Sequence, residues 1–184
     1  MGKKIMLLLA PGFEEIEALG TCDVLRRLKF DVTLTALSGD EVAGAHGMRV
    51  AADAELAELD QNSFDAVVFP GGMPGAVNLL AVKDIARDFA TAGKVVAAIC
   101  AAPIVLSAAG VLKERAFTMY PGFGKYLNAG ETPTGRLVEV DGNVVTGKGP
   151  GATFFFAAAV ARALGVSAEA TREVLSSMFV PAAE

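Results

Sequence analysis

Cys100 sits in the stretch Val95-Val96-Ala97-Ala98-Ile99-Cys100-Ala101-Ala102-Pro103, where a strand pattern gives way to a helix pattern. A strand running straight into a helix, with a nucleophile at the junction, projects that side chain from the C-terminal edge of a sheet. Free N–H groups and the dipole at the helix start favour a thiolate there. Ala101 and Ala102 leave space for a strained turn and for a ligand. Free cysteines are also among the most buried residues. The local residues therefore leave two readings open for Cys100, a nucleophile or a packed, inert thiol.

Two further segments carry groups that such a thiol would need. Pro70-Gly71-Gly72-Met73-Pro74-Gly75 follows another apolar run, and its glycines let backbone amides approach an anion, as an oxyanion hole requires. Pro11-Gly12-Phe13-Glu14-Glu15-Ile16-Glu17 opens a helix. Glu14 and Glu17 are three residues apart and share a helix face. Carboxylates there also simply suit the dipole. A carboxyl beside a thiolate has its pKa raised and can donate a hydrogen bond to sulfur while it keeps its proton. The helix dipole, nearby amides and that bond would lower the thiol pKa, whereas burial opposes them.

Other motifs carry less. Gly147-Lys148-Gly149-Pro150-Gly151-Ala152 matches the dinucleotide pattern G-x-G-x-x-[GA]. It follows a hairpin late in the chain, and no acidic residue ends a strand about 20 residues on. Tight packing of the following helix is the role expected for it. Two cysteines and one histidine, Cys22, Cys100 and His46, fall short of a four-ligand zinc site, so no metal is expected. Cys22, in an apolar-flanked helix, is expected to be structural. His46, in the loop 43–47, reads as a solvated turn residue.

The elements that must position these groups alternate. Apolar runs predict strands at 4–9, 65–69 and 94–99, and alternation predicts one at 30–37 and a shorter one at 50–54. Amphipathic or apolar helices are predicted at 14–29, 82–91, 101–108 and 152–164, and a last one from an N-cap at Ser167 to Met178. A hairpin is expected near 136–146, turning at Asp141-Gly142. Strand–helix alternation with buried strands implies one α/β domain over 1–184, a flavodoxin-like three-layer sandwich with a mostly parallel sheet.

Composition narrows the function classes. Hydrophobic residues are 53% of the 184, charged residues 20%, and the net charge is −5. Disorder is excluded, and no basic cluster larger than a pair exists to track a phosphate backbone, so nucleic acid is not an expected partner. The apolar run 95–106 is too short for a membrane span and is broken by Pro103, so a cytoplasmic protein without membrane contact is expected.

Taken together, the segments 10–18, 23–27, 65–76, 97–103 and 147–157 resemble the ThiJ/PfpI superfamily, in the branch of the Parkinsonism-associated deglycase and its bacterial relatives. The resemblance covers nearly the whole chain. It implies Cys100 as an oxidation-sensitive nucleophile, Glu17 as the acid beside its sulfur, and Glu14 lining the pocket. Backbone N–H groups of the Gly71-Gly72 loop and Ala101 would face the reacting oxygen. It further implies a homodimer acting without cofactors on dicarbonyls such as methylglyoxal or glyoxal, or on glycated adducts. The alternative it carries is a redox sensor or redox-regulated chaperone. This chain departs from the branch at Tyr120, where the animal deglycase has a histidine. His46 falls where the family has an arginine that crosses the dimer.

Overall fold

The computed structural model describes residues 2–181. The apolar run at the start forms β1 (Lys4–Leu9), and α1 (Glu15–Arg27) returns along the sheet to β2 (Asp31–Ala36). A separate antiparallel ribbon of β3 (Glu41–Ala43) and β4 (Arg49–Ala51) follows, and β5 (Ala54–Glu55) then joins the main sheet beside β2. The strand expected over 50–54 is thus split between two sheets. Asp53 divides it, because its carboxylate accepts the Leu34 N–H at 2.8 Å and an Arg26 N–H at 2.6 Å, which turns the chain there.

The second half supplies β6 (Ala66–Phe69), α2 (Gly75–Asn78), α3 (Lys83–Thr91), β7 (Val95–Ile99) and α4 (Pro103–Ala108). The hairpin is β8 (Val138–Asp141) and β9 (Val144–Gly147), and α5 (Thr153–Ala163) and α6 (Ala168–Ser177) complete the fold. Asp141 pairs with Val144, so the turn is Gly142-Asn143, one residue later than expected. Ser167 caps α6 as expected, its hydroxyl accepting the Ala170 N–H at 3.1 Å.

The main sheet has the order β5-β2-β1-β6-β7-β9-β8, parallel except for the edge strand β8. Helices α1, α5 and α6 pack together on one side, and α2, α3 and α4 on the other. Strands covered on both faces must be apolar throughout, which is why β6 and β7 are buried at every position. After β1 the chain goes first to β2 on one side and later to β6 on the other. That reversal opens a crevice at the C-terminal ends of β1 and β6, the place where ligands bind in such sheets.

Candidate active site

Three neighbouring strands deliver the three segments to one edge. β1 leads to Gly12–Glu17, β6 to Gly71-Gly72, and β7 directly to Cys100. Cys100 has φ +63°, a left-handed conformation that is strained for a residue with a side chain. Its surroundings impose it: the Cys100 N–H donates to Gly147 O at 2.9 Å, and the Cys100 carbonyl accepts the Tyr120 N–H at 2.8 Å. The helix expected from Ala101 begins only at Pro103 and has six residues. Ala101 and Ala102 form the turn that absorbs the strained residue, so single amides rather than a long helix face the sulfur.

Glu17 is 1% exposed, in the first turn of α1. Its Oε2 accepts the Gly71 N–H at 2.8 Å, whereas Oε1 is buried with no hydrogen-bond partner. A Cβ on Gly71 would lie 2.6 Å from Cys100 Cβ and 2.6 Å from Glu17 Oε2, so only glycine lets carboxyl and thiol share this space. Gly72 has φ +88°, and its amide and that of Ala101 favour the thiolate form of Cys100. The Glu14 carboxylate is the N-cap of α1, accepting the Glu17 N–H at 2.7 Å. It thereby holds the turn that carries Glu17.

Protonation in this site is shared. Burial pushes the Glu17 carboxyl up to about 7, against the pull of Cys100 and the Gly71 N–H, with the Glu14 charge adding to the rise. Cys100 is pushed up to about 12 by burial and by the Glu17 carboxylate, while the Gly72 and Ala101 amides pull down. The balance left open by the sequence therefore falls on the side of burial whenever Glu17 is ionised. One proton leaves the pair near neutrality and the second only in strong base, because two adjacent anions would have to share a dry site.

The remaining candidates lie around this centre. Tyr120 is bonded to Cys100 through its main chain, and its half-exposed ring packs beside Gly149 and edge-on to Phe123. It borders a cleft of about 360 Å³ with Leu137, Lys148 and Pro150. A Cβ on Gly147 would lie 2.9 Å from Ile99 and 3.1 Å from Phe156, so glycine there lets α5 pack closely on β7, in keeping with the sequence reading of that motif. A larger cavity, about 580 Å³, is lined by Gly110, Leu112–Arg115 and Asn128–Thr132 beyond the C-terminal end of α4, away from the thiol.

His46 is a solvated turn residue as expected, and it is also held by Glu15, a residue absent from the sequence-derived candidates. Glu15 Oε1 accepts the His46 N–H and Oε2 meets Nδ1, each at 2.7 Å, with the carboxylate 3% exposed and the imidazole 66% exposed. No local signal marks Glu15, since its partner is 31 positions away. Among the described residues Glu14, Glu15 and His46 form the one grouping with metal-ligating atoms mutually within 4.8 Å. Both Glu15 oxygens and Nδ1 are already committed to each other there. Cys22 is buried in α1, its thiol pushed up to about 11 chiefly by burial, in line with a structural role.

A mostly parallel seven-stranded sheet with a strained cysteine at the end of a central strand defines a class, and comparison with known proteins gives its family. The DJ-1/PfpI family profile matches residues 3–163. Protein dj-1beta of Drosophila melanogaster is 37% identical over 98% of this chain and 98% of its own length. The crystal structure of Drosophila melanogaster DJ-1beta superposes with a TM-score of 0.87 at 34% identity, covering 98% of this chain and 100% of that one. Deglycase PfpI of Pyrococcus furiosus is 38% identical over 80% of this chain and 91% of its own. Glutathione-independent glyoxalase DJR-1.2 of Caenorhabditis elegans is 33% identical over 88% of this chain and 89% of its own. The chain belongs to the DJ-1/PfpI family, with its flavodoxin-like fold. No described helix is long and apolar enough to cross a membrane.

Proposed function

We propose that this protein is a cofactor-independent glyoxalase or deglycase that converts reactive dicarbonyls, or their early adducts on amines and thiols, through Cys100. The carrying observation is the strained Cys100 set against the buried, proton-sharing Glu17 and the Gly72 and Ala101 amides. The relatives named deglycase and glyoxalase support the same reading.

With methylglyoxal, Cys100 sulfur adds to the aldehyde carbon, and the thiol proton passes through Glu17 to the aldehyde oxygen. The amides of Gly72 and Ala101 stabilise that oxygen while it is negative. Glu17 then removes the proton from the former aldehyde carbon, and the hydroxyl proton of that carbon passes to the neighbouring carbonyl oxygen to give an enediol. Glu17 returns its proton to the neighbouring carbon, leaving a lactoyl thioester on Cys100. Water hydrolyses the thioester to lactate and frees the thiol. A carboxyl held at about 7 suits this exchange, since it takes and gives protons near neutral pH.

The reading extends to a cytoplasmic homodimer. Exposed Ile16, Met48 and Met73, at 56%, 57% and 41%, lie on the segments bordering the site, and a second copy would cover them. Tyr120 takes no acid–base step in this scheme.

The test is lactate formation from methylglyoxal without glutathione, in the parent and in Cys100→Ser. Loss of lactate in the variant is expected, and undiminished lactate would overturn the assignment. A redox-sensing role is favoured by one observation, the unpartnered buried Glu17 Oε1. When Glu17 is protonated, its O–H can donate to an oxygen added to the sulfur. Intact-mass analysis after mild peroxide, beside the lactate assay, weighs the two roles.

A further inference from the structure

We propose that His46 is a positioning residue of the Cys100 site: gripped by Glu15, its imidazole sets, through the Glu14 carboxylate, the proton balance at Glu17. This rests on the reading of Glu17 as the proton carrier of the reaction.

His46 is the single histidine of the chain. The Glu15 carboxylate meets both the backbone N–H and Nδ1 of His46, which assigns a proton to Nδ1, and the imidazole is otherwise 66% exposed. Gly44 makes the grip possible, because a Cβ there would strike the Glu15 carboxylate. The loop is also sewn to the site. Gly12 N–H donates to Ala43 O and Ala45 N–H to Phe13 O, each at 2.8 Å, while Glu14 N–H donates to Gly71 O at 3.0 Å. His46 therefore belongs to the same hydrogen-bonded unit as Gly71 and the start of α1.

Glu14 lies between the two pairs. Its carboxylate caps Glu17 N, and it offers an oxygen within 4.8 Å of atoms of both Glu15 and His46. Its negative charge raises the pKa of Glu17 and of His46 alike. Among the described residues no lysine or arginine is ion-paired with Glu14, Glu15 or Glu17, all three at least nine-tenths buried. The imidazolium is thus the cation that offsets this cluster. Glu14 and Glu15 are the charged groups that face it, and Glu41 and Arg49 on its own ribbon pair with each other at 2.6 Å. Charged His46 weakens the field of Glu14 and eases Glu17 ionisation. Neutral His46 leaves that field whole, and Glu17 keeps its proton to higher pH.

Two variants separate the charge states in the full chain. His46→Arg holds the positive charge at every working pH, and His46→Gln removes it while keeping a donor for Glu15. Carboxyl carbon NMR, without substrate, follows the Glu17 midpoint. The midpoint in the Gln variant should lie about half a pH unit above that in the Arg variant, a threefold difference in proton affinity at partly screened range. The pH profile of lactate formation should move in the same order. Coincident midpoints in the two variants would overturn the proposal. If a variant loses the ribbon's amide signals, Glu14→Gln in the parent serves instead. That change should lower the Glu17 midpoint, and an unchanged midpoint overturns the proposal equally. Shifted midpoints with no lactate in any protein would overturn the catalytic reading and leave the coupling of His46 to Glu17 standing.

Discussion

Glu17→Gln isolates the electrostatic cost of the buried acid. Gln keeps the size of the side chain and an oxygen for the Gly71 N–H that Glu17 Oε2 accepts at 2.8 Å. The carboxyl moves from an unfolded value of 4.5 to about 7 in the folded chain, chiefly through burial. An acid whose folded pKa is raised contributes its full stability below pH 4.5, and that contribution is lost as pH rises through 7. At 1.36 kcal/mol per unit, the shift corresponds to about 3 kcal/mol. Gln undergoes no such loss. The stability of Glu17→Gln relative to the parent should therefore rise by about 3 kcal/mol between pH 4.5 and 8, or about 6–12 °C in Tm for a chain of this size. Urea unfolding of both proteins at several pH values in that window measures it, and every other titrating group cancels to first order in the difference. A pH-independent gap between the two proteins would refute the claim that Glu17 is held protonated by burial. The same variant should lose lactate formation throughout the window.

The other predictions are briefer. Gly71→Ala should cost about 1–3 kcal/mol and about 100-fold in turnover, since the new methyl displaces Glu17 or Cys100 by about 1 Å. Thermal melts and lactate assays check this, with Gly124→Ala as the neutral control because an added Cβ there meets nothing within 4 Å. Limited iodoacetamide treatment at pH 7.5 followed by peptide mapping should label Cys100, at the crevice end of β7, well before Cys22, which is 4% exposed inside α1. Equal labelling would count against a special environment at Cys100. Glu14→Ala should cost about 1 kcal/mol through the lost cap of α1, read by urea unfolding at pH 7.

Local pattern was enough for the parallel strands, because a strand covered on both faces must be apolar throughout, as β6, β7 and β1 from Ile5 onward are. The Ser167 cap and the presence of the 138–147 hairpin were legible for a similar reason, each being decided within a few residues. Cys100, Glu17 and Gly71-Gly72 could be nominated from sequence because each follows a strand, and strand ends on one edge of a parallel sheet face the same crevice. What the sequence could not reveal depends on distant partners. The strained φ of Cys100 is imposed by Gly147 and Tyr120, and the split of the 50–54 strand by Asp53 meeting Leu34 and Arg26. Burial set against amide hydrogen bonds decides the protonation of the Cys100–Glu17 pair, and only the packed fold gives their relative weight. Glu15 shows the limit most clearly. In sequence it is one of three similar carboxylates at a helix start, and only the folding of a loop 31 residues away makes it the partner of His46.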